Sequence, residues 1–155
     1  MPRIAADYVD VWLWRNRPAA PPEFLLLQRA PHRPLPGLWL PVMGRIEPGE
    51  TAVAAALRET REETGLVPGE LYQLDNVHVF FMAATDTVQM TPVFAAPVPE
   101  GAEIVLSAEH TAARWEPYPA VLNVLVWPGQ RDCAARVAAD LAADAPAKPL
   151  LRVPV

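Results

Sequence analysis

The chain has 155 residues, 52% of them hydrophobic and 20% charged, and its 13 basic and 18 acidic side chains give a formal net charge of −5. That length suits one domain, and the apolar content excludes an intrinsically disordered chain. The acidic balance argues against sequence-independent binding to nucleic acid, which rests on clustered Lys and Arg.

In chain order, Tyr8 to Trp14 alternates, with Val9, Val11 and Leu13 on one side of a predicted strand. Asn16 to Pro22, rich in Pro and Ala, reads as a hairpin loop. Phe24 to Gln28 is a short apolar run that suits a central strand buried on both faces. Pro31 to Gly37 is a loop, and Leu38 to Met43 a brief strand that Pro41 weakens. Thr51 to Thr64 reads as a helix, with Thr51 as N-cap, Gly65 at C′ and Pro68 blocking continuation. Leu71 to Ala83 and Thr87 to Val98 are expected strands joined around Thr85 and Asp86, and Arg114 to Tyr118 a last short one. Pro119 to Val126 and Gln130 to Ala143 read as helices split by Pro128 and Gly129, and Ala145 to Val155 as an extended tail. This order suggests an α/β sandwich with a mixed sheet.

Cys133, the only cysteine, excludes an intrachain disulfide and reads as a small buried side chain. No apolar run approaches the roughly 20 residues of a membrane span. The start, Met1 to Asp10, has neither an apolar signal core nor a small-residue cleavage site. A soluble protein of the reducing cytoplasm is expected.

At 100° per residue, Val53, Leu57, Thr60 and Thr64 form one stripe of the Thr51–Thr64 helix, which should pack on the sheet. Glu59, Glu62 and Glu63 fall within roughly a 100° arc beside it. Like charges so spaced repel. Either Arg58 pairs with Glu62 and the face is merely solvated, or the carboxylates hold a hard cation such as Mg²⁺, which prefers oxygen ligands. The full stretch is GRIEPGETAVAAALRETREETGL, Gly44 to Leu66. It resembles the Nudix box, G-x5-E-x7-R-E-U-x-E-E-x-G-U with U a bulky aliphatic residue. All seven invariant positions match: Gly44, Glu50, Arg58, Glu59, Glu62, Glu63 and Gly65. Thr60 departs from the pattern at the first U, where a packing effect is expected.

The resemblance implies an α/β/α Nudix fold over residues 1–144, with 145–155 as the tail. It implies that Glu59, Glu62 and Glu63 bind Mg²⁺, with Mn²⁺ as an alternative, and that the Gly44 carbonyl assists. Arg58 would orient a glutamate through Glu50, and Gly65 would shape the motif. The activity implied is hydrolysis of a diphosphate linkage in a nucleoside triphosphate or related compound. The segments LLLQRAPHRPLPGLWLPVMG and LNVLVWPGQR, with Glu109, His110 and Trp115, look like the branch that includes dihydroneopterin triphosphate and dATP pyrophosphohydrolases. In such enzymes an extra acidic residue often serves as metal ligand or general base. Glu109 is the candidate, with Glu103 as substitute.

Arg29, at the end of a strand, suits a substrate phosphate. Trp39 and Phe80 suit stacking on a base or pterin. His110 is either a substrate contact or structural, while His32 and His78 carry no signal. Trp12, Trp14, Trp115 and Trp127 are assigned to core or interface. The expected partner is a nucleotide or pterin-type diphosphate; neither a membrane nor a nucleic acid is expected. A homodimer is compatible with the chain. The intact box disfavours a non-catalytic Nudix-fold binding module, and Cys133 lies too far downstream for an isoprenoid-diphosphate isomerase. The acidic balance disfavours RNA decapping.

Overall fold

Val9, Val11 and Leu13 are buried on one side of their strand, and Trp12 and Trp14 on the other. That strand therefore lies inside a sandwich, and the single-sided alternation expected of it is corrected. The computed structural model describes residues 1–155. Its strands are β1 (Arg3–Ala5), β2 (Tyr8–Arg17), β3 (Ala20–Arg29), β4 (Trp39–Leu40), β5 (Val42–Arg45), β6 (Leu71–Met82), β7 (Thr87–Pro97), β8 (His110–Pro117) and β9 (Arg152–Val153). Its helices are α1 (Ala52–Thr64), α2 (Val121–Val124), α3 (Pro128–Arg136) and α4 (Lys148–Leu151). The expected α/β architecture with a mixed sheet holds. The strands run in the order β4-β3-β2-β7-β6-β9, with β1 beside β7, β5 beside β2 and β8 beside β3. β7 is parallel to β1 and β2, whereas the β2–β3, β2–β5 and β6–β7 pairs are antiparallel.

One face of the sheet carries α1 over Val9, Val11, Leu13, Leu25, Leu27 and Val42. The other carries α3 and its π-helical continuation, Val137–Ala142, over Trp12, Trp14, Phe24, Leu26 and Val93. Each central strand is thus sealed twice. Leu26, fully buried, illustrates the energetics. Leu26→Ala is expected to lower stability by about 2–5 kcal/mol, read as a shifted urea midpoint with an unchanged slope.

Several expected boundaries moved. The hairpin loop shrinks to a two-residue turn at Pro18 and Ala19, because Glu23 pairs with Arg15 and draws both strands onward. The strand expected at Leu38–Met43 divides at Pro41, which has no N–H to give a ladder. The strand expected at Arg114–Tyr118 begins at His110, since the whole segment pairs along β3. The Pro119–Val126 helix contracts to α2. The tail expected to be extended instead makes one helical turn, α4, before β9 pairs with Leu71 and Tyr72 of β6. No helix is long and apolar enough to cross a membrane.

Candidate active site

α1 starts and stops where its residue types dictate. The Thr51 hydroxyl accepts the Ala54 N–H at 3.1 Å, and Gly65 ends the helix at φ 73°, donating its N–H to the Arg61 carbonyl. The buried side of the helix is Ala55, Ala56, Thr60, Glu63 and Thr64. Val53 and Leu57, expected at the centre of the packed stripe, lie at its half-buried margin. The Thr60 hydroxyl donates to the Ala56 carbonyl at 2.7 Å, which accommodates the one departure from the motif without an orphaned polar atom.

This rotation of the helix grades the three glutamates. Glu63 is 2% exposed, Glu59 is mostly covered, and Glu62 faces solvent. They share an arc, as expected, but not one open face, because Glu63 turns toward the sheet. The cause of the tight seating is Gly44. β5 pairs with β2 in register Val9↔Gly44, which brings its backbone under α1. A β-carbon on Gly44 would lie 1.9 Å from the Glu59 carboxyl carbon, so only glycine admits that side chain.

Arg58 binds the group together. Its Nε and Nη2 donate to the two carboxylate oxygens of Glu50, both at 2.9 Å. Nη2 also donates to the Arg45 carbonyl at 2.8 Å. Nη1 donates to Glu59 at 2.8 Å and to Glu62 at 3.2 Å. Arg58 and the Glu47 N–H hold the Glu50 carboxyl down at about 2. Burial pushes Glu59 above the usual carboxylate range, against the pull of Arg58. Burial, then the charges of Glu59 and Glu109, push Glu63 up to about 8. Neither oxygen of Glu63 has a partner within normal hydrogen-bond geometry, and the nearest basic side-chain nitrogen is His110 Nε2 at 4.0 Å.

No three acidic, His or Cys side chains converge as a finished cation shell. Arg58 Nη1 engages Glu59 and Glu62, and Glu63 turns toward the sheet. The residues nevertheless fit a hard divalent ion. The donors are all oxygen, Glu63 presents two unpartnered carboxylate oxygens, and the Nη1 contacts can be exchanged while Glu50 still anchors Arg58.

Above this cluster opens a cleft of about 750 Å³, in the size range of ligand pockets. Glu59, Gly44, Glu109, Arg29, Arg33 and Arg45 line its charged part. Glu109 is placed by its backbone, whose carbonyl accepts the Ala30 N–H at 2.9 Å, and its carboxylate pairs with Arg33 at 3.0 Å. The structure therefore brings Gly44, Glu50, Arg58, Glu59, Glu62, Glu63, Arg29, Phe80 and Glu109 to one region. It does not bring Trp39 there. β4 hangs on β3, and the Trp39 ring packs on the α3-side core under the Arg114 guanidinium, 4.3 Å from the ring centre. Glu103 is exposed and does not line the cleft. His110 is buried near Glu63, its pKa lowered by burial and then by the Arg29 charge.

Trp127, assigned above to core or interface, lines the cleft with His78, Gln130, Tyr8 and Arg33. Sequence reasoning passed over most of these. A usable signal existed in Asp10, a lone carboxylate inside an otherwise apolar strand. Trp12 and Trp14 are core, Trp115 is partly buried, and burial pushes the Cys133 thiol up to about 12.

The profile of the NUDIX domain matches residues 6–137, and the chain belongs to that family. An octanoyltransferase of Myxococcus xanthus is 40% identical over 118 residues, 74% of this chain and 32% of that protein. The mouse bis(5'-nucleosyl)-tetraphosphatase is 39% identical over 100 residues, covering 60% of this chain and 63% of the relative. The chain thus spans about a third of the first and under two thirds of the second. Among solved structures, a C. elegans Ap4A hydrolase binary complex superposes with TM-score 0.73 at 26% identity, covering 90% of this chain and 99% of that one. The E. coli dihydroneopterin triphosphate pyrophosphohydrolase gives TM-score 0.73 at 24% identity, covering 89% and 98%, a likeness of fold.

Proposed function

We propose that the chain hydrolyses a phosphoric anhydride in a nucleoside polyphosphate, with Mg²⁺ or Mn²⁺ as its cofactor. The observation that carries this reading is the meeting of opposite chemistries in one cleft. Glu59 and Glu109 line it together with Arg29, Arg33 and Arg45, and the unpartnered Glu63 lies buried on the same helix as Glu59. The carboxylates suit a cation, and the guanidiniums suit phosphate oxygens through bidentate hydrogen bonds.

Glu59, Glu62 and Glu63 would hold the ion, with the Gly44 carbonyl assisting. The bound ion supplies neutralisation of the anhydride and acidification of a water. Arg29 and Arg33 orient the phosphate chain. Glu109, once released from Arg33, accepts the proton of the attacking water as its oxygen bonds to phosphorus and the bridging P–O bond breaks. Arg58, anchored by Glu50, keeps Glu59 and Glu62 poised without touching substrate. Dinucleoside tetraphosphates head the candidate substrates, because two relatives carry names of that activity. Nucleoside triphosphates and dihydroneopterin triphosphate follow.

The test is a release assay for phosphate, pyrophosphate and nucleotide over those compounds and ADP-ribose. Turnover is expected to require Mg²⁺, to stop with EDTA, and to fall on the order of 100-fold or more in Glu62→Gln. A folded protein that turns over none of them in the presence of metal would overturn the reading and favour a binding module.

A further inference from the structure

Asp10 is the third residue of β2, and its side chain is fully buried. Its Oδ2 meets His78 Nδ1 at 3.1 Å, and its Oδ1 has no partner. Strand β7 lies between them, with Asp10 opposite Val93 and His78 opposite Thr91. Burying a carboxylate is costly, and a valine would serve the core better. The one group that Asp10 engages is a histidine that lines the cleft.

The imidazole is held on three sides. Asp10 takes Nδ1, and the Phe80 ring lies 5.1 Å away, tilted 47°. On the third side, at the start of α3, a β-carbon on Gly129 would come within 2.6 Å of Nε2. Glycine there lets the helix start close over the ring. Nε2 itself bonds to no protein group. The next residue, Gln130, is fully buried against the cleft; its Oε1 has no partner, and its amide N–H reaches only the Met43 sulfur at 3.5 Å. With Asp10 ionised against His78 and Nδ1–H donated to it, His78 Nε2 is an acceptor, as is Gln130 Oε1. Phe80 and Trp127 add aromatic walls.

We propose that this end of the cleft is a nucleobase subsite that reads an exocyclic amino group, with His78 Nε2 and Gln130 Oε1 as paired acceptors. Phe80 and Trp127 flank the base. Asp10 is a positioning residue that fixes the tautomer of His78. The ligand class is an amino-bearing base, adenine or cytosine, in preference to its oxo counterpart, hypoxanthine or uracil. An oxo group would set acceptor against acceptor at the exocyclic position, where Gln130 Oε1 is already buried without a partner, the situation in which polar sites discriminate most strongly. The proposal rests on the nucleotide reading above.

The test compares adenine with hypoxanthine, and cytosine with uracil, in otherwise identical nucleotides. Two readouts are used: the ratio of kcat/KM values for hydrolysis, and the ratio of Kd values for AMP and IMP by titration calorimetry. Wild type is expected to favour the amino base tenfold or more. Asp10→Asn keeps the shape but donates a hydrogen bond to Nδ1, which moves the His78 proton to Nε2. Its ratio is expected to fall to unity or invert. Gln130→Met is expected to lose most of the preference, and it keeps the proposal testable should the Asp10 variant fail to fold. Turnover without base preference in wild type, or a folded Asp10→Asn protein with an unchanged ratio, overturns the subsite. AMP preferred over IMP without turnover of any nucleotide keeps the subsite and overturns the hydrolase reading instead.

Discussion

Gly44→Ala is expected to cut kcat/KM on the order of 100-fold or more, with the protein still folded and its thermal midpoint little changed. The added methyl would sit 1.9 Å from the Glu59 carboxyl carbon, so the carboxylate must leave its seat. The backbone at Gly44 is not left-handed, so alanine costs no conformational strain there. The damage falls on the acidic cluster and not on the fold. Steady-state kinetics beside a thermal melt separate the two. An alanine variant with wild-type turnover would mean that the seat of Glu59 does not matter to the chemistry.

Glu63→Gln is expected to do two opposite things. The folded Glu63 carboxyl titrates at about 8 against an ordinary 4.5, mainly because of burial. A raised acid pKa means that the folded state binds more protons than the unfolded one between those values. Its stabilising contribution is complete below pH 4.5 and is lost as pH rises through 8. In EDTA, urea midpoints of the wild type should therefore fall across that window, and those of Glu63→Gln should fall less, a difference of a few kcal/mol at the alkaline end. Added Mg²⁺ should stabilise the wild type by mass action and the variant hardly at all. Parallel pH profiles for the two proteins would contradict the burial of that charge, and equal stabilisation by Mg²⁺ would remove Glu63 from the ligand set.

The central helix and its caps were legible because each signal was local. Thr51, Gly65 and the spacing of Arg58 to Glu63 act within one or two turns. The mixed sheet was legible from the order of apolar runs. What the chain hid was long-range. That Gly44 exists to admit Glu59 depends on register between β2 and β5. That Trp127 faces a cleft while Trp39 packs on the core depends on which strands neighbour one another, and residue type is silent on that. His78 carried no sequence signal because its partner, Asp10, lies 68 positions away. The tail reads as aperiodic because β9 is two residues long.

Arg58 sends out five bonds, to Glu50 twice, Glu59, Glu62 and the Arg45 carbonyl. A guanidinium owns five N–H groups, so none is idle. Lysine at that position would carry the same charge with three hydrogens on a single nitrogen. One atom cannot reach the loop, the motif's first glutamate and both helix carboxylates together. The swap that looks most conservative on paper would therefore unpick the knot that ties the loop ahead of the helix to the helix itself.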